Sequence, residues 1–176
     1  EVDETYVGGD KIGKRGRGAD GKALVMVAVE FTDTIKNKIG RIRLSQVTNA
    51  SSECIEEFVS QNIECGSTIH TDAWNGYNNI ANIGYKHSKT KSTVSVGEDP
   101  LNHCHLISSL FKRWLLGTYQ GAVKPKHLDY YLDEYTFRFN RRKSGSRGKL
   151  FYRLCEQAVV TPPITRKGIE HREPEL

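Results

Sequence analysis

At 176 residues, with 37% hydrophobic and 27% charged residues, the chain has the make-up of one folded domain with its own core and is too short for two of ordinary size. No apolar run approaches the roughly 18 residues of a membrane span and no charged start leads into an apolar stretch, so neither a transmembrane helix nor a secretory signal is read and an intracellular protein is expected. The net charge of +5 and pI near 9.0 point towards a polyanionic partner, while Cys54, Cys65, Cys104 and Cys155 lack the paired spacing of a zinc knuckle or a disulfide framework.

Residues 2–7 alternate apolar and polar side chains and predict a strand. Residues 22–31 carry a long β-rich run and predict a second. Between them lies a glycine-punctuated basic loop holding Lys11, Lys14, Arg15 and Arg17, where glycines let the backbone approach a phosphate chain and side chains neutralise it. Residues 41–47 alternate again after a turn expected at 37–40, so three successive antiparallel strands are anticipated. Ser51 or Ser52 ahead of Glu53 signals a helix start, followed by Ile55, Phe58 and Val59 at helical spacing.

A short β-branched run, 67–71, predicts a buried strand ending at Asp72. Residues 74–83 suit a short helix and 85–96, basic and rich in Ser and Thr, an irregular stretch. Over 101–116, Leu106, Ile107, Leu110, Phe111, Trp114 and Leu115 keep the rhythm of an amphipathic helix whose other face carries His105, Ser109 and Lys112. From 125 to 140 the pattern repeats, with Leu128, Tyr131, Leu132, Tyr135 and Phe139 inward and Glu134, Arg138 and Arg141 on another stripe. Residues 161–176 read as a charged, loosely packed tail beyond a domain spanning 1–160.

The chemistry centres on carboxylates. Asp3 sits mid-strand, where a carboxylate is disfavoured unless exposed or functional, and Asp72 ends another strand. If the strands are neighbours, the two groups converge at one sheet edge and repel each other unless a divalent cation neutralises them, which is how a protein builds a centre for phosphoryl transfer. Taken singly, Asp3 also fits a surface strand residue and Asp72 a turn former.

Four motifs in order carry a resemblance: Glu1-Val-Asp-Glu-Thr-Tyr-Val-Gly-Gly9, the Gly-Lys-Arg-Gly-Arg-Gly run after it, Thr71-Asp-Ala-Trp-Asn-Gly-Tyr77 and Tyr131-Leu-Asp-Glu-Tyr-Thr-Phe-Arg-Phe-Asn-Arg-Arg142. Together, over residues 1 to about 160, they resemble the catalytic domain of DDE-type insertion-sequence transposases, in the group related to Merlin-type transposons. The resemblance implies an α/β, RNase H-like (retroviral-integrase-like) fold, a mixed sheet flanked by helices. It further implies metal-dependent DNA cleavage and strand transfer with Mg²⁺ or Mn²⁺, DNA partners in the form of transposon ends and target, a homo-oligomer on DNA, and a cytoplasmic, nucleoid-associated setting. Recognition of the end sequence would belong mainly to a part N-terminal to Glu1.

In that family a third acidic residue lies a little over thirty residues after the second Asp and seven before a Lys on the same helix. The matching position here, thirty-three after Asp72 and seven before Lys112, holds His105, a departure shared with similar members that carry Asn or His. Imidazole is a softer ligand than carboxylate, suits Mn²⁺ better than Mg²⁺, and leaves the centre one negative charge short when neutral. The implied catalytic set is thus Asp3, Asp72, His105, Lys112 and Glu134, with Asp3, Asp72 and His105 on the metal. Lys14, Arg15, Arg17, Lys112, Arg113, Arg138 and Arg141 would contact DNA. Glu134 and Arg138 also fit a plain i, i+4 ion pair, His105 a half-exposed helix residue, and Lys112 a solvated lysine. A catalytically inactive DNA-binding relic and an RNase H-like nuclease without strand transfer remain the two alternatives.

Overall fold

The structure is a computed structural model describing residues 1–8, 22–33, 38–90, 99, 101–120 and 123–170, without the side chains of 32, 33 and 170. The basic loop carrying Lys14, Arg15 and Arg17 lies outside the described residues.

Three strands, β1 (Val2–Val7), β2 (Ala23–Asp33) and β3 (Lys38–Val47), form the antiparallel meander anticipated, in the order β1-β2-β3. Asp3 faces Val27 and Thr5 faces Val25 across the first ladder. β2 is the central strand and is buried on both faces from Ala23 to Val29, as its unbroken apolar run demands. β3 begins at Lys38, so Lys38–Gly40 are strand where a turn was expected.

Helix α1 (Ser52–Asn62) starts under the predicted cap, with Ser51 Oγ accepting the Cys54 N–H at 3.4 Å. β4 (Thr68–Thr71) follows, then, within the stretch expected as a short helix, two 3₁₀ turns, Asn75–Tyr77 and Ile80–Ile83. Gly76 explains the first turn's location: a Cβ there would meet Ile55 Cδ1 at 2.7 Å, so the backbone presses directly on α1. Gly84 ends the second turn at φ 95°, a left-handed conformation that glycine adopts without strain.

β5 (Lys86–Lys89) pairs in parallel with β4, correcting the expectation of an irregular stretch there. Lys-His-Ser-Lys has no apolar alternation, so its strand character comes from pairing with β4 rather than from pattern. β4 runs beside β1, although the two ladders are separate hydrogen-bonded sheets.

Helices α2 (Asn102–Tyr119) and α3 (Leu128–Asn140), the latter entered through a 3₁₀ turn at Pro125–His127, cover one face of the meander. Cys104, Ile107, Phe111 and Leu115 of α2 and Leu128, Leu132 and Tyr135 of α3 pack there on Val25, Val27, Val29, Ile42 and Leu44. α1, Ile69, Tyr77 and Tyr85 close over Val2, Met26 and Ala28 on the opposite face. Leu106, expected inward, is 47% exposed. The buried stripe of α2 runs through residues 104, 107, 108, 111 and 115, and residue 106 lies about 100° around the helix from 107, which carries it off that stripe.

Asn140 ties α3 to the sheet, its side chain accepting the Ile42 N–H at 2.8 Å and donating to Ile42 O at 3.0 Å. Arg142 donates to Ile39 O and Gly40 O. A further helix not anticipated, α4 (Arg147–Val160), has no buried residue and exposes Phe151, Tyr152, Leu154, Val159 and Val160. The tail contains a short helix, α5 (Arg166–Glu170). Among the described residues no helix is long and apolar enough to cross a membrane.

Candidate active site

The meeting of β1, the end of β4 and the first turns of α2 gathers an acidic cluster in a chain that is basic overall. Strand alternation sends Glu1, Asp3, Thr5 and Val7 to the α2 side of β1 and Val2, Glu4 and Tyr6 to the other. Down the first side, each polar residue meets α2: the Glu1 carboxylate accepts the main-chain N–H groups of His103 and Cys104, both at 3.0 Å, Asp3 Oδ2 lies 3.3 Å from His105 Nε2, and Thr5 Oγ1 accepts a 2.7 Å hydrogen bond from Lys112 Nζ. The strand and the helix are therefore stitched together along their length.

Glu1 is the anchor of this arrangement. Its carboxylate is buried, sits on the N–H groups that begin α2, where the helix dipole favours negative charge, and lies 2.5 Å from His103 Nδ1. The His103 ring stacks on Phe31 at 5.3 Å.

Asp3 is 16% exposed, and its carboxyl is pushed up to about 6. Burial is the main cause, the charges of Glu4 and Asp72 add to it, and the Glu4 main-chain N–H and the His105 ring oppose it. The Asp72 charge acts on Asp3 as the smallest of these influences. The Asp72 carboxylate also forms a local turn, Oδ1 accepting the Trp74 N–H at 2.9 Å.

His105, 54% exposed, is held between two carboxylates, with Nε2 towards Asp3 and Nδ1 2.7 Å from Asp99 Oδ2. Asp99 Oδ1 in turn accepts the Leu101 N–H at 3.2 Å, fixing the entry to α2. On the far side of β1, Glu4 accepts a 2.7 Å hydrogen bond from the hydroxyl of fully buried Tyr77. Burial first, and then the charges of Glu4, Asp3 and Asp72, push that phenol far above its ordinary range.

Sequence reading missed Glu1, Glu4 and Asp99 as members of the cluster. Only Asp99 left a local signal, an acidic residue just ahead of a helical pattern; Glu1 meets residues more than a hundred positions away.

Lys112 lies one strand pleat from Asp3. Burial lowers its pKa, neighbouring Lys22 adds to the effect, and Asp3 works against it. Arg113 is exposed beside it. Glu134 is engaged elsewhere: it accepts a 3.0 Å hydrogen bond from the Tyr119 hydroxyl and lies 3.2 Å from Arg138 Nε. Arg141 stacks over Phe137 at 3.9 Å. A cavity of about 710 Å³ lies beyond the start of β1, lined by Glu1, Phe31, Arg41, Arg43 and His70, and does not include Asp3.

Two octahedral ligands at 2.0–2.1 Å from a hard cation and at right angles are about 3 Å apart. The Asp3–His105 separation of 3.3 Å is that of a direct contact between the two side chains and is of similar length, and both side chains are of kinds that bind divalent ions. Among the described residues no group of three or more His, Cys, Asp or Glu side chains is gathered at ion-holding distance, consistent with Asp72 being turned to the Trp74 N–H.

Residues 1–140 match the model of the ISXO2-like transposase domain. No curated protein matches the chain.

Proposed function

The chain belongs to the ISXO2-like, DDE-type insertion-sequence transposases, and from that membership we propose that it is the catalytic domain of a DNA transposase, cutting at transposon ends and joining the freed 3′ hydroxyl to target DNA. The observation that carries the reading is the convergence of Asp3 and His105, 3.3 Å apart, with Asp72 in electrostatic reach, on elements distant in sequence. The order of three antiparallel strands, a helix, a strand beside β1 and helices supports an RNase H-like topology for the same domain.

In this reading Asp3, Asp72 and His105 would hold a divalent cation. Such an ion, when bound, activates the attacking oxygen and neutralises charge on the leaving one. Asp3 is suited to the task because burial makes its ionised form costly, so that form gains most from a neighbouring cation. Lys112, held by Thr5 beside Asp3, would grip a DNA phosphate, and Arg113 would reach the same backbone. Both displacements are the same in-line reaction at phosphorus, so one centre serves both.

Lys14, Arg15 and Arg17 would extend the basic track to DNA, and Arg138 and Arg141, at helical spacing with Glu134, would form a phosphate ledge rather than part of the centre itself. We assign Glu134 the orientation of Arg138. Assembly as a homo-oligomer on paired ends belongs to the same proposal.

The test is strand nicking of transposon-end DNA in Mn²⁺ or Mg²⁺, with Asp3→Asn and Asp72→Asn as controls, followed by joining of pre-cleaved ends. Nicking that survives either substitution removes the proposed centre. Nicking without joined products would make the protein a nuclease, and binding without nicking would make it a DNA-binding relic.

A further inference from the structure

The acidic residue that family resemblance leads one to expect at position 105 is a histidine, and a histidine poses a requirement that a carboxylate does not. A neutral imidazole has one bare nitrogen and one N–H, and only the bare nitrogen can bind a cation. His105 turns Nε2 towards Asp3, 3.3 Å away, so Nε2 is the atom that must be bare. Its Nδ1 lies 2.7 Å from Asp99 Oδ2, the closer of its two carboxylate contacts.

We propose that Asp99 is a positioning residue for His105: by accepting the Nδ1–H it selects the tautomer whose Nε2 lone pair points at the Asp3 carboxylate, and so prepares an imidazole ligand for a divalent cation. The inference rests on the metal-centre reading above and names a residue that reading does not contain. Carboxylates behind metal-bound imidazoles act in this way generally, fixing the ring's orientation and raising its basicity.

Asp99 is well placed for the role. Its second oxygen accepts the Leu101 N–H, so the side chain is held at both ends and the carboxylate does not merely graze the ring. The two interactions tie the loop before α2 to the first turn of that helix, six residues of chain closing on His105. The other ring nitrogen faces Asp3. Asp99 would also return, one bond removed from the ion, the negative charge that the His105 position lacks relative to a carboxylate.

Histidine ring ¹⁵N shifts measured at pH 8 with excess Mg²⁺, a diamagnetic ion that takes the place of a proton between Nε2 and the ionised Asp3 carboxylate, test the tautomer directly. The expected result is a pyrrole-type Nδ1 and a pyridine-type Nε2 for His105, moving towards the opposite tautomer in Asp99→Ala. Calorimetric titration with Mn²⁺ should show binding weakened about ten-fold or more by Asp99→Ala, and no further loss when Asp99→Ala is added to His105→Ala. Unchanged helix content and melting temperature in Asp99→Ala would separate this effect from loss of the loop, and Asp99→Asn, which keeps an acceptor for the Leu101 N–H, provides the second variant. A wild-type His105 carrying its proton on Nε2, or an Asp99→Ala protein with wild-type ring shifts and Mn²⁺ affinity, would overturn the proposal. Failure of the metal-centre reading looks different: Mn²⁺ affinity would then be indifferent to Asp3→Asn and Asp72→Asn as well.

Discussion

Replacing Asp3 by Asn should make the metal-free protein more stable, and the gain should depend on pH in a defined way. The folded Asp3 carboxyl titrates near 6 against an ordinary 3.8, chiefly because it is buried. Below pH 3.8 the group is protonated in both states and the substitution is close to neutral. Between about 4 and 6 the unfolded chain loses the proton that the folded chain keeps, so wild-type stability falls as pH rises, and above about 6 the loss is complete. The gap corresponds to about 3 kcal/mol at most, and since only 16% of the side chain is exposed, solvent screening erodes little of it. Asn keeps the shape and an oxygen to accept the Glu4 N–H, but carries no charge. For a chain of this size that is roughly 6–12 °C in melting temperature at pH 8 and little at pH 4. Urea unfolding of both proteins across pH 4–8 in EDTA measures it. A difference between the two proteins that stays constant over this range would refute the account of Asp3 as a desolvated carboxyl. Mn²⁺ should close most of that gap, adding about 2.7 kcal/mol to the wild type at a hundred times its Kd and far less to the variant.

Glu1→Ala removes the acceptor for two helix N–H groups and the partner of a buried histidine, so it should cost about 3–5 kcal/mol, read as a lower urea midpoint at pH 7. Tyr77→Phe deletes a buried charge-assisted hydrogen bond to Glu4 and should cost about 1.5–3 kcal/mol by the same assay while leaving the Asp3 side of the strand intact. Lys112→Ala should weaken DNA binding to a similar degree on unrelated sequences and reduce the slope of log affinity against log salt by about one, measured by fluorescence anisotropy. An unchanged slope would place Lys112 off the DNA backbone.

What could be read from the sequence was what repeats locally. The meander, α1, α2 and α3 follow from period-2 and period-3.6 patterns, and the capping Ser51 fixed where α1 begins. β5 was illegible because Lys-His-Ser-Lys is a strand only by virtue of its neighbour β4. α4 has helical content but no packed face, so nothing about burial drew notice to it. In the candidate site, Asp3, Asp72, His105 and Lys112 could be singled out because each stands in a motif or at a fixed spacing. Glu1 and Glu4, in the same motif as Asp3, could not be assigned partners: Glu1 meets His103 and Cys104, and Glu4 meets Tyr77, across separations that no periodicity spans. Alternation along β1 does say which of them share a face with Asp3, and that much was available from residue parity alone.

The exchange of carboxylate for imidazole at position 105 also makes electrostatic sense within this cluster. Asp3 holds its proton to about pH 6 chiefly through burial, to which the charges of Glu4 and, least, Asp72 add. A third carboxylate 3.3 Å from it would raise that proton affinity further and require more of any bound cation before all the ligands ionised. A protonated imidazole in the same place lowers it, as the His105 charge does, and a neutral one adds no negative charge. With Asp99 behind the ring, the negative charge is moved one group outward, where it is 43% exposed and better solvated. The expected signature is a centre that loads Mn²⁺ at lower pH than one carrying His105→Glu, and a titration of Mn²⁺ affinity against pH for the two proteins would show whether the histidine confers that difference.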